Sequence, residues 1–242
     1  MLSYNTPIVM NGQRPSSSNT MSTGRQNIPP SPKTMRLPTS SLSNGVMANG
    51  STSQPKEQHI WLVTGPAGCG KSTVAKHLAD TLNFPFIEGD EYHPPSNIEK
   101  MSAGIPLTDA DRWDWLTALR EASISALSLS PRPAGVVLTC SALKRKYRDV
   151  IRVAPYFAPN LHLHFLYLDA SEELLLKRVA ARANHYMGAN MVHSQFEVLE
   201  RPREDEVDVF SVGVDCGVEE VKKEALRRVL RVMDEVAEGV RK

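Results

Sequence analysis

The part of the sequence most clearly suited to chemistry is an eight-residue run, Gly65-Pro66-Ala67-Gly68-Cys69-Gly70-Lys71-Ser72. It matches the pattern GxxxxGK[ST], in which a glycine-rich turn points backbone N–H groups at phosphate oxygens. An apolar run ending at Val63 precedes it and a helical pattern follows, which is the context that a phosphate-binding loop requires. A turn that merely joins a strand to a helix is the alternative, but it leaves the adjacent Lys-Ser pair unexplained.

Each side chain of such a loop has a defined task. Lys71 is expected to reach the β- and γ-phosphates of ATP as a catalytic residue, and Ser72 to place its hydroxyl on Mg²⁺. The helix that begins near Lys71 adds the positive end of its dipole, and Thr73 lies in its first turn. Cys69 lies among the inward N–H groups, which can lower a thiol pKa, although a small residue in a tight loop is the simpler interpretation. Residues 65–73 are therefore predicted to bind ATP.

A second polar group, containing Asp90 and His93, follows the next apolar stretch. Open α/β sheets bind ligands at the carboxyl ends of their strands, so Asp90 is a candidate for orienting an attacking hydroxyl and receiving its proton late in phosphoryl transfer. Capping of the following turn is the alternative for Asp90. His93 is interpreted equally well as a substrate ligand or as part of the turn scaffold.

An anionic acceptor has several candidate ligands. Arg112 lies in the first turn of a predicted helix that Thr108 or Asp109 is expected to cap. A cation is disfavoured in the first turn of a helix, so binding of a substrate carboxylate by the guanidinium would explain the arginine at this position. An ion pair with neighbouring acids is the alternative. Beyond the third predicted strand come Ser141 and a basic group that either surrounds an anionic substrate or forms a solvated helix face, namely Lys144, Tyr147 and Arg148.

Two arginines four residues apart, Arg178 and Arg182, project from one face of a predicted helix. The polar stretch at about 183–192 is predicted to be a small lid, whose closing would bring both arginines over the phosphates and exclude water. Two solvated arginines are the alternative. Asp169, which follows the fourth predicted strand, is interpreted as part of a helix cap.

The elements that must position these residues alternate along the chain. Strands are predicted at 60–63, 86–88, 136–140, 161–168 and 209–214, and helices at 72–82, 109–129, 171–183 and 218–238. This alternation predicts an α/β domain with a mostly parallel sheet covered by helices on both faces.

The predicted domain spans residues 58–242. Residues 1–57 are rich in Ser, Thr, Asn and Pro, with Glu57 as their only acid, and they are predicted to be a disordered extension. Their arginines and serines superficially resemble a transit peptide, but the frequent Pro and Gly argue against the amphipathic helix that such a peptide needs.

Composition excludes several classes of protein. The 242 residues carry a formal net charge of +1, which gives no field for binding nucleic acid or an anionic membrane. The three cysteines form no CxxC pair, so a reducing compartment, the cytoplasm, is expected. No apolar run approaches the roughly 20 residues that cross a bilayer.

Over about residues 59–235 the sequence resembles the gluconokinases, a family of the shikimate kinase and adenylate kinase-like P-loop kinases. The resemblance is carried by GPAGCGKST, GDEYHPPSNIEKMSAGIPLTDADRWDWL, CSALKRKYRD and HYMGANMVHSQFEVLE. It implies a five-stranded parallel sheet flanked by helices. It also implies transfer of the γ-phosphoryl of ATP to the 6-hydroxyl of D-gluconate, giving 6-phosphogluconate and ADP for the pentose phosphate pathway.

Position by position, the resemblance implies that Asp90 orients the acceptor and Arg112 binds its carboxylate. Arg178 and Arg182 are similar to the adenine-stacking and γ-phosphate-contacting arginines of adenylate-type kinases, and Gln195 is implied to touch the sugar acid. A homodimer is possible for this family. The alternatives are a related kinase for another small hydroxylated acid such as shikimate, or a nucleotide-binding switch, although the sequence has no NKxD motif.

Overall fold

The computed structural model describes residues 56–181 and 189–240. Its strands are β1 Gln58–Thr64, β2 Phe86–Ile87, β3 Gly135–Thr139, β4 Leu161–Asp169 and β5 Val209–Gly213. The helices are α1 Lys71–Leu82, α2 Pro95–Ser102, α3 Trp113–Leu127, α4 Arg145–Ile151, α5 Glu172–Ala180, α6 Ala189–Val198 and α7 Val218–Ala237. Arg182 and residues 183–188 of the predicted lid lie outside the described residues, whereas 189–192 belong to α6.

The five strands form one sheet in the order β2-β3-β1-β4-β5, and every neighbouring pair is parallel. The predicted five-stranded parallel sheet is therefore confirmed. The first strand lies in the middle of the sheet, with β3 and β2 on one side of it and β4 and β5 on the other. The position beside β1 at which the strand order reverses is the topological switch point of the sheet. A crevice opens at such a switch point, outside the carboxyl ends of the strands, and ligands bind there in open α/β sheets.

Both faces of the sheet are buried, as the continuous apolar run of β1 requires. Trp61 and Val63 face a core completed by α1, α5 and α7, while Ile60 and Leu62 face a second core completed by α3 and α4. All four side chains are fully buried. These two cores fix the carboxyl end of β1, and with it the start of the phosphate loop.

The helix predicted from residue 109 begins later than expected. A short 3-10 turn spans Ala110–Arg112, and α3 starts at Trp113 without a side-chain cap. The predicted capping by Thr108 or Asp109 is wrong, because the Asp109 carboxylate turns instead toward α4. The fifth helix does have a polar cap, in which Ser171 Oγ accepts a hydrogen bond from Leu174 N–H at 3.2 Å.

Three helices were not predicted, namely α2, α4 and α6. Each is short, with 8, 7 and 10 residues respectively. Over residues 56–181 and 189–240, no helix is both long enough and apolar enough to cross a membrane.

Candidate active site

The phosphate loop connects β1 to α1 through residues 65–70. Gly65 has a φ of 141°, and a Cβ there would lie 2.9 Å from both Cys69 Sγ and Leu168 O, so a side chain is excluded. Lys71 Nζ donates to the carbonyls of Gly65 and Pro66 at 3.0 Å each, which folds the lysine over the loop. The first turn of α1 has no side-chain cap, so its N–H groups are available to an anion.

Two side chains complete the loop. Ser72 Oγ has no hydrogen-bond partner among residues 56–181 and 189–240, and the residue is half-buried at the start of α1. The Cys69 thiol is buried, and burial raises its pKa although Lys71 opposes the effect. A small residue that fills the loop, rather than a reactive thiol, is therefore the interpretation that the structure favours.

Asp90 is held in position by the packing of its neighbour, Gly89. The Gly89 N–H donates to Thr139 Oγ1 at 3.0 Å, and its carbonyl accepts from Trp115 Nε1 at 2.7 Å. A Cβ at Gly89 would lie 1.9 Å from Thr139 O, so only glycine lets this turn approach β3. The 3-10 turn Gly89–Tyr92 then exposes the Asp90 carboxylate, which makes no hydrogen bond or ion pair, capping bonds included, within the described part of the chain.

His93 belongs to the scaffold of this turn. Its ring stacks on Trp115 with the centroids 4.0 Å apart, and its Nδ1 lies 3.4 Å from Asn97 Nδ2. Burial lowers the pKa of His93, while Asp90 raises it and Arg112 lowers it. The stacking on Trp115 and the contact with Asn97 support the scaffold interpretation, and a role of His93 as a substrate ligand stays a prediction.

Arg112 keeps most of its donors uncommitted. Its Nη2 donates to Leu107 O at 3.3 Å, and the guanidinium carbon lies 5.5 Å from the centroid of the Tyr147 ring. Its Nε is buried and has no hydrogen-bond partner, and no ion pair to Arg112 occurs within the described residues. The ion-pair alternative therefore has no contact to support it here, and a planar cation with free donors suits a carboxylate.

The two acceptor-side segments are joined through the carboxylate of Asp109. Lys144 Nζ lies 3.1 Å from its Oδ1, and Lys146 and the Tyr147 hydroxyl also bond to it. Hydrogen bonds from Lys146, Tyr147 and Lys144 hold the pKa of Asp109 well below its usual range. Ser141 lies just before this group, and its carbonyl accepts from Thr64 Oγ1 at 2.6 Å.

Arg148 does not join Lys144 in a basic surface group, because it points into the protein. Its guanidinium bonds to both carboxylate oxygens of Glu206 and to the carbonyls of Ala142 and Glu200. Arg152 reaches the same carboxylate at 2.7 Å. Burial raises the pKa of Glu206, but the two arginines outweigh that effect and lower the pKa to about 2. This network was not predicted from the sequence.

The end of β1 and the turn that carries Asp90 both bond to the end of β3. The Gly89 N–H, beside Asp90, donates to Thr139 Oγ1 at the end of β3, and the Gly89 carbonyl accepts from Trp115 Nε1 of α3, the helix that Arg112 precedes. Cys140 N–H also donates to Val63 O at 3.2 Å, which ties this point to the carboxyl end of β1, just before the phosphate loop. The structure thus brings the predicted phosphate-binding and acceptor-binding residues to one place.

The remaining predicted residues lie on the phosphate side. Arg178 bonds to the carbonyl of Val214, just beyond β5, while the next residue, Val179, approaches Gly68 of the loop. Gln195 accepts a hydrogen bond from Ala67 N–H at 2.7 Å. Its implied contact with the acceptor stays a prediction.

A cavity of about 540 Å³ opens at the carboxyl ends of β4 and β5. Asp169 and Arg201 line it and form an ion pair. The interpretation of Asp169 as a helix cap is wrong, because Ser171 caps α5 and the Asp169 side chain faces Arg201. Arg201 lies in the segment between α6 and β5, where the run Arg-Pro-Arg-Glu-Asp at 201–205 has no periodicity that would single out one of its charges.

Comparison with known proteins gives consistent results along the chain. The AAA domain family model matches residues 62–200. The probable gluconokinase of Schizosaccharomyces pombe is 48% identical over 184 residues, which cover 76% of this chain and 94% of that protein. The thermosensitive gluconokinase of Escherichia coli is 38% identical over 172 residues, covering 71% and 88% respectively.

Solved structures agree with the sequence relatives. The crystal structure of a gluconokinase from Sinorhizobium meliloti 1021 has a TM-score of 0.65 at 39% identity, covering 78% of this chain and all of that one. An APS kinase from Mycobacterium tuberculosis, at 18% identity and a TM-score of 0.51, shares the fold. With these relatives, and with a phosphate loop that follows β1 next to the strand end to which the Asp90 turn bonds, the chain belongs to the gluconokinase family of P-loop kinases.

Proposed function

We propose that this protein is an ATP-dependent gluconate kinase that transfers the γ-phosphoryl group of ATP to the 6-hydroxyl of D-gluconate. The products are 6-phospho-D-gluconate and ADP, and the hydroxyl proton leaves the acceptor. The observation that carries this proposal is that the end of β3 bonds both to Gly89, beside the free carboxylate of Asp90, and to Val63, just before the phosphate loop, because this supports a phosphate-binding cation and a proton acceptor in one site.

The nucleotide side is formed by the phosphate loop and the start of α1. Lys71 neutralises charge on the β- and γ-phosphates, and the uncapped N–H groups of α1 bind phosphate oxygens. Arg178 lies between the loop and the strand end at Val214, a place suited to the nucleotide base.

Mg²⁺ fits this site through the Ser72 hydroxyl. No cluster of three or more His, Cys, Asp or Glu side chains that could hold a metal occurs in the described ranges. A single hydroxyl suits Mg²⁺ in a kinase, because this ion keeps several waters and takes its other ligands from the substrate phosphates. When bound, it neutralises the charge that develops on the phosphates during transfer.

The acceptor side supplies orientation and a proton acceptor. Arg112 binds the carboxylate of gluconate, while Lys144 and Ser141 line the same approach beside the Asp109 group. The exposed Asp90 carboxylate orients the attacking hydroxyl and accepts its proton late, as a loose transition state requires. His93, stacked on Trp115, keeps the Asp90 turn in place.

A coupled ADP-release assay tests this function with the full chain. Gluconate, other sugar acids, shikimate and nucleoside monophosphates are compared as acceptors, and gluconate is expected to give the highest kcat/KM. An Asp90→Asn variant should lower kcat for gluconate by about 10²-fold or more. Preference for a different acceptor would overturn the substrate assignment, and ATP binding without acceptor-dependent ADP release would indicate a nucleotide switch.

A further inference from the structure

Gln195 makes a contact with the phosphate loop that the reaction described above does not use. Its Oε1 accepts a hydrogen bond from Ala67 N–H at 2.7 Å, across 128 positions of sequence. An N–H group can only donate, so the contact fixes which end of the carboxamide faces the loop. The Nε2 group therefore points away from Ala67 N–H and is free to donate, and it has no hydrogen-bond partner in residues 56–181 or 189–240.

The same peptide unit holds both Gln195 and Lys71. The carbonyl of Pro66 and the N–H of Ala67 belong to one planar peptide, and that carbonyl accepts from Lys71 Nζ at 3.0 Å. A cation on the carbonyl polarises the peptide and strengthens its N–H as a donor to Gln195. One rigid peptide group therefore fixes two side chains at its opposite ends. The Lys71 ammonium, which binds the β- and γ-phosphates, lies at one end, and the carboxamide of Gln195 lies at the other.

The backbone that carries Gln195 is anchored on both sides. In α6, Val192 is fully buried in the core next to α1, and Phe196 packs against that core. Just beyond the helix, Glu200 N–H donates to Leu143 O at 2.9 Å, and its carboxylate accepts from Arg145 N–H at 2.8 Å. The helix that carries Gln195 is therefore anchored to the core beside α1, and the segment that follows it is anchored to the loop before α4, which carries acceptor-side residues.

We propose that Gln195 is a catalytic residue whose Nε2 donates a hydrogen bond to a non-bridging oxygen of the γ-phosphoryl group during transfer. Ala67 N–H holds the carboxamide in the orientation that this requires. The charge of the transferring group is spread over its three equatorial oxygens, so a fixed donor there stabilises the transition state. This inference rests on the proposed function for the transfer step, and it replaces the sugar-acid contact that the family resemblance implied.

The substitution Gln195→Glu separates this role from a purely structural one. A glutamate still accepts the Ala67 N–H, but it cannot donate to a phosphoryl oxygen and it repels one. Two affinities are measured by calorimetry with Mg²⁺, one for ADP and one for a β,γ-imido analogue of ATP. We expect the variant to bind ADP within about twofold of the native protein and the analogue at least about tenfold more weakly, with kcat at least about tenfold lower.

Ser194→Ala is the matched control, because this neighbour is exposed on the same helix and, within the part of the chain that the structure describes, its hydroxyl bonds only to Met191 O. It should leave both affinities and kcat unchanged. Equal losses for ADP and the analogue in Gln195→Glu, or no loss for either, would overturn the proposal by showing that the side chain only supports the loop. A raised KM for gluconate with an unchanged kcat would restore the sugar-acid contact. The two affinities need no acceptor, so they decide the role of Gln195 even if gluconate proves not to be the substrate.

Discussion

Replacing Glu206 with glutamine removes the charge on which two arginines converge. The Arg148 and Glu206 side chains are 2% and 1% exposed, so Glu206→Gln leaves a buried guanidinium without its counter-charge. Loss of one partner from a buried pair costs about 3 to 5 kcal/mol. The depression of the Glu206 pKa from 4.5 to about 2 gives a similar figure, about 3 kcal/mol, for the stability that the ionised carboxylate contributes at neutral pH.

Urea unfolding followed by tryptophan fluorescence measures this contribution. At pH 7 the midpoint should fall by about 1.5 to 2.5 M if the urea dependence is about 2 kcal/mol per M. The pKa of Glu206 is lowered in the folded state, so the contribution is complete above the unfolded pKa of 4.5 and is lost as the pH falls toward 2. The difference between native and variant protein should therefore shrink between pH 4.5 and pH 2.

Asp149→Asn is the control for this experiment. Asp149 pairs with the same Arg152 from the surface, with its side chain 54% exposed, so its loss should change stability by less than about 1 kcal/mol. If Glu206→Gln is as stable as Asp149→Asn at pH 7, the network does not hold the acceptor-side loop to the segment before β5, and the reasoning fails.

Three further results are expected. Lys71→Ala should lower kcat for ADP formation by about 10³-fold, because charge stabilisation at the phosphates is lost; unchanged turnover would exclude that role. Arg112→Ala should raise the KM for gluconate about 10- to 100-fold with little change in kcat, since the substrate carboxylate is present equally in the ground and transition states. A lower kcat with an unchanged KM would mean that the carboxylate binds elsewhere. Burial, with repulsion from His162, lowers the pKa of His59 from 6.5 to about 4, so the unfolded chain takes up this proton first and stability should fall as the pH drops from 6.5 to 4. In urea titrations between pH 6.5 and pH 4, His59→Gln should reduce this loss of unfolding free energy by up to about 3 kcal/mol. If the variant lost as much stability over this range as the native protein, His59 would not be the group responsible.

The fold was predictable where hydrophobic periodicity is strong. The run Ile60 to Val63, the loop after it and α1 follow from local pattern, and a parallel sheet follows from the alternation of strands and helices. The second helix was not predictable in this way, because it has only eight residues and its Ile98 is 51% exposed, so no apolar face repeats. The fourth helix is only seven residues long, and its buried Arg148 resembles a surface charge in the sequence.

The position of a site residue could be predicted from the sequence only where that residue follows the end of a predicted strand. Asp90 follows β2, and the carboxyl ends of parallel strands meet at one edge, so its proximity to the phosphate loop follows from topology. The contact of Gln195 with Ala67 does not, because it depends on the path of the chain through 128 intervening positions. The contacts of Asp109 were not predictable either. Its position in the sequence indicates a helix cap, whereas its partners lie at the start of α4, a helix that the local pattern does not predict.

The link that Asp109 makes between the segment before α3 and the start of α4 restricts how the acceptor preference of this protein can be redesigned. Exchange of either segment alone for that of another kinase would separate the aspartate from its lysines and tyrosine. Chimeras that transplant residues 108–112 and 144–147 as a pair keep these partners together, so libraries aimed at new sugar acids should vary the two segments jointly.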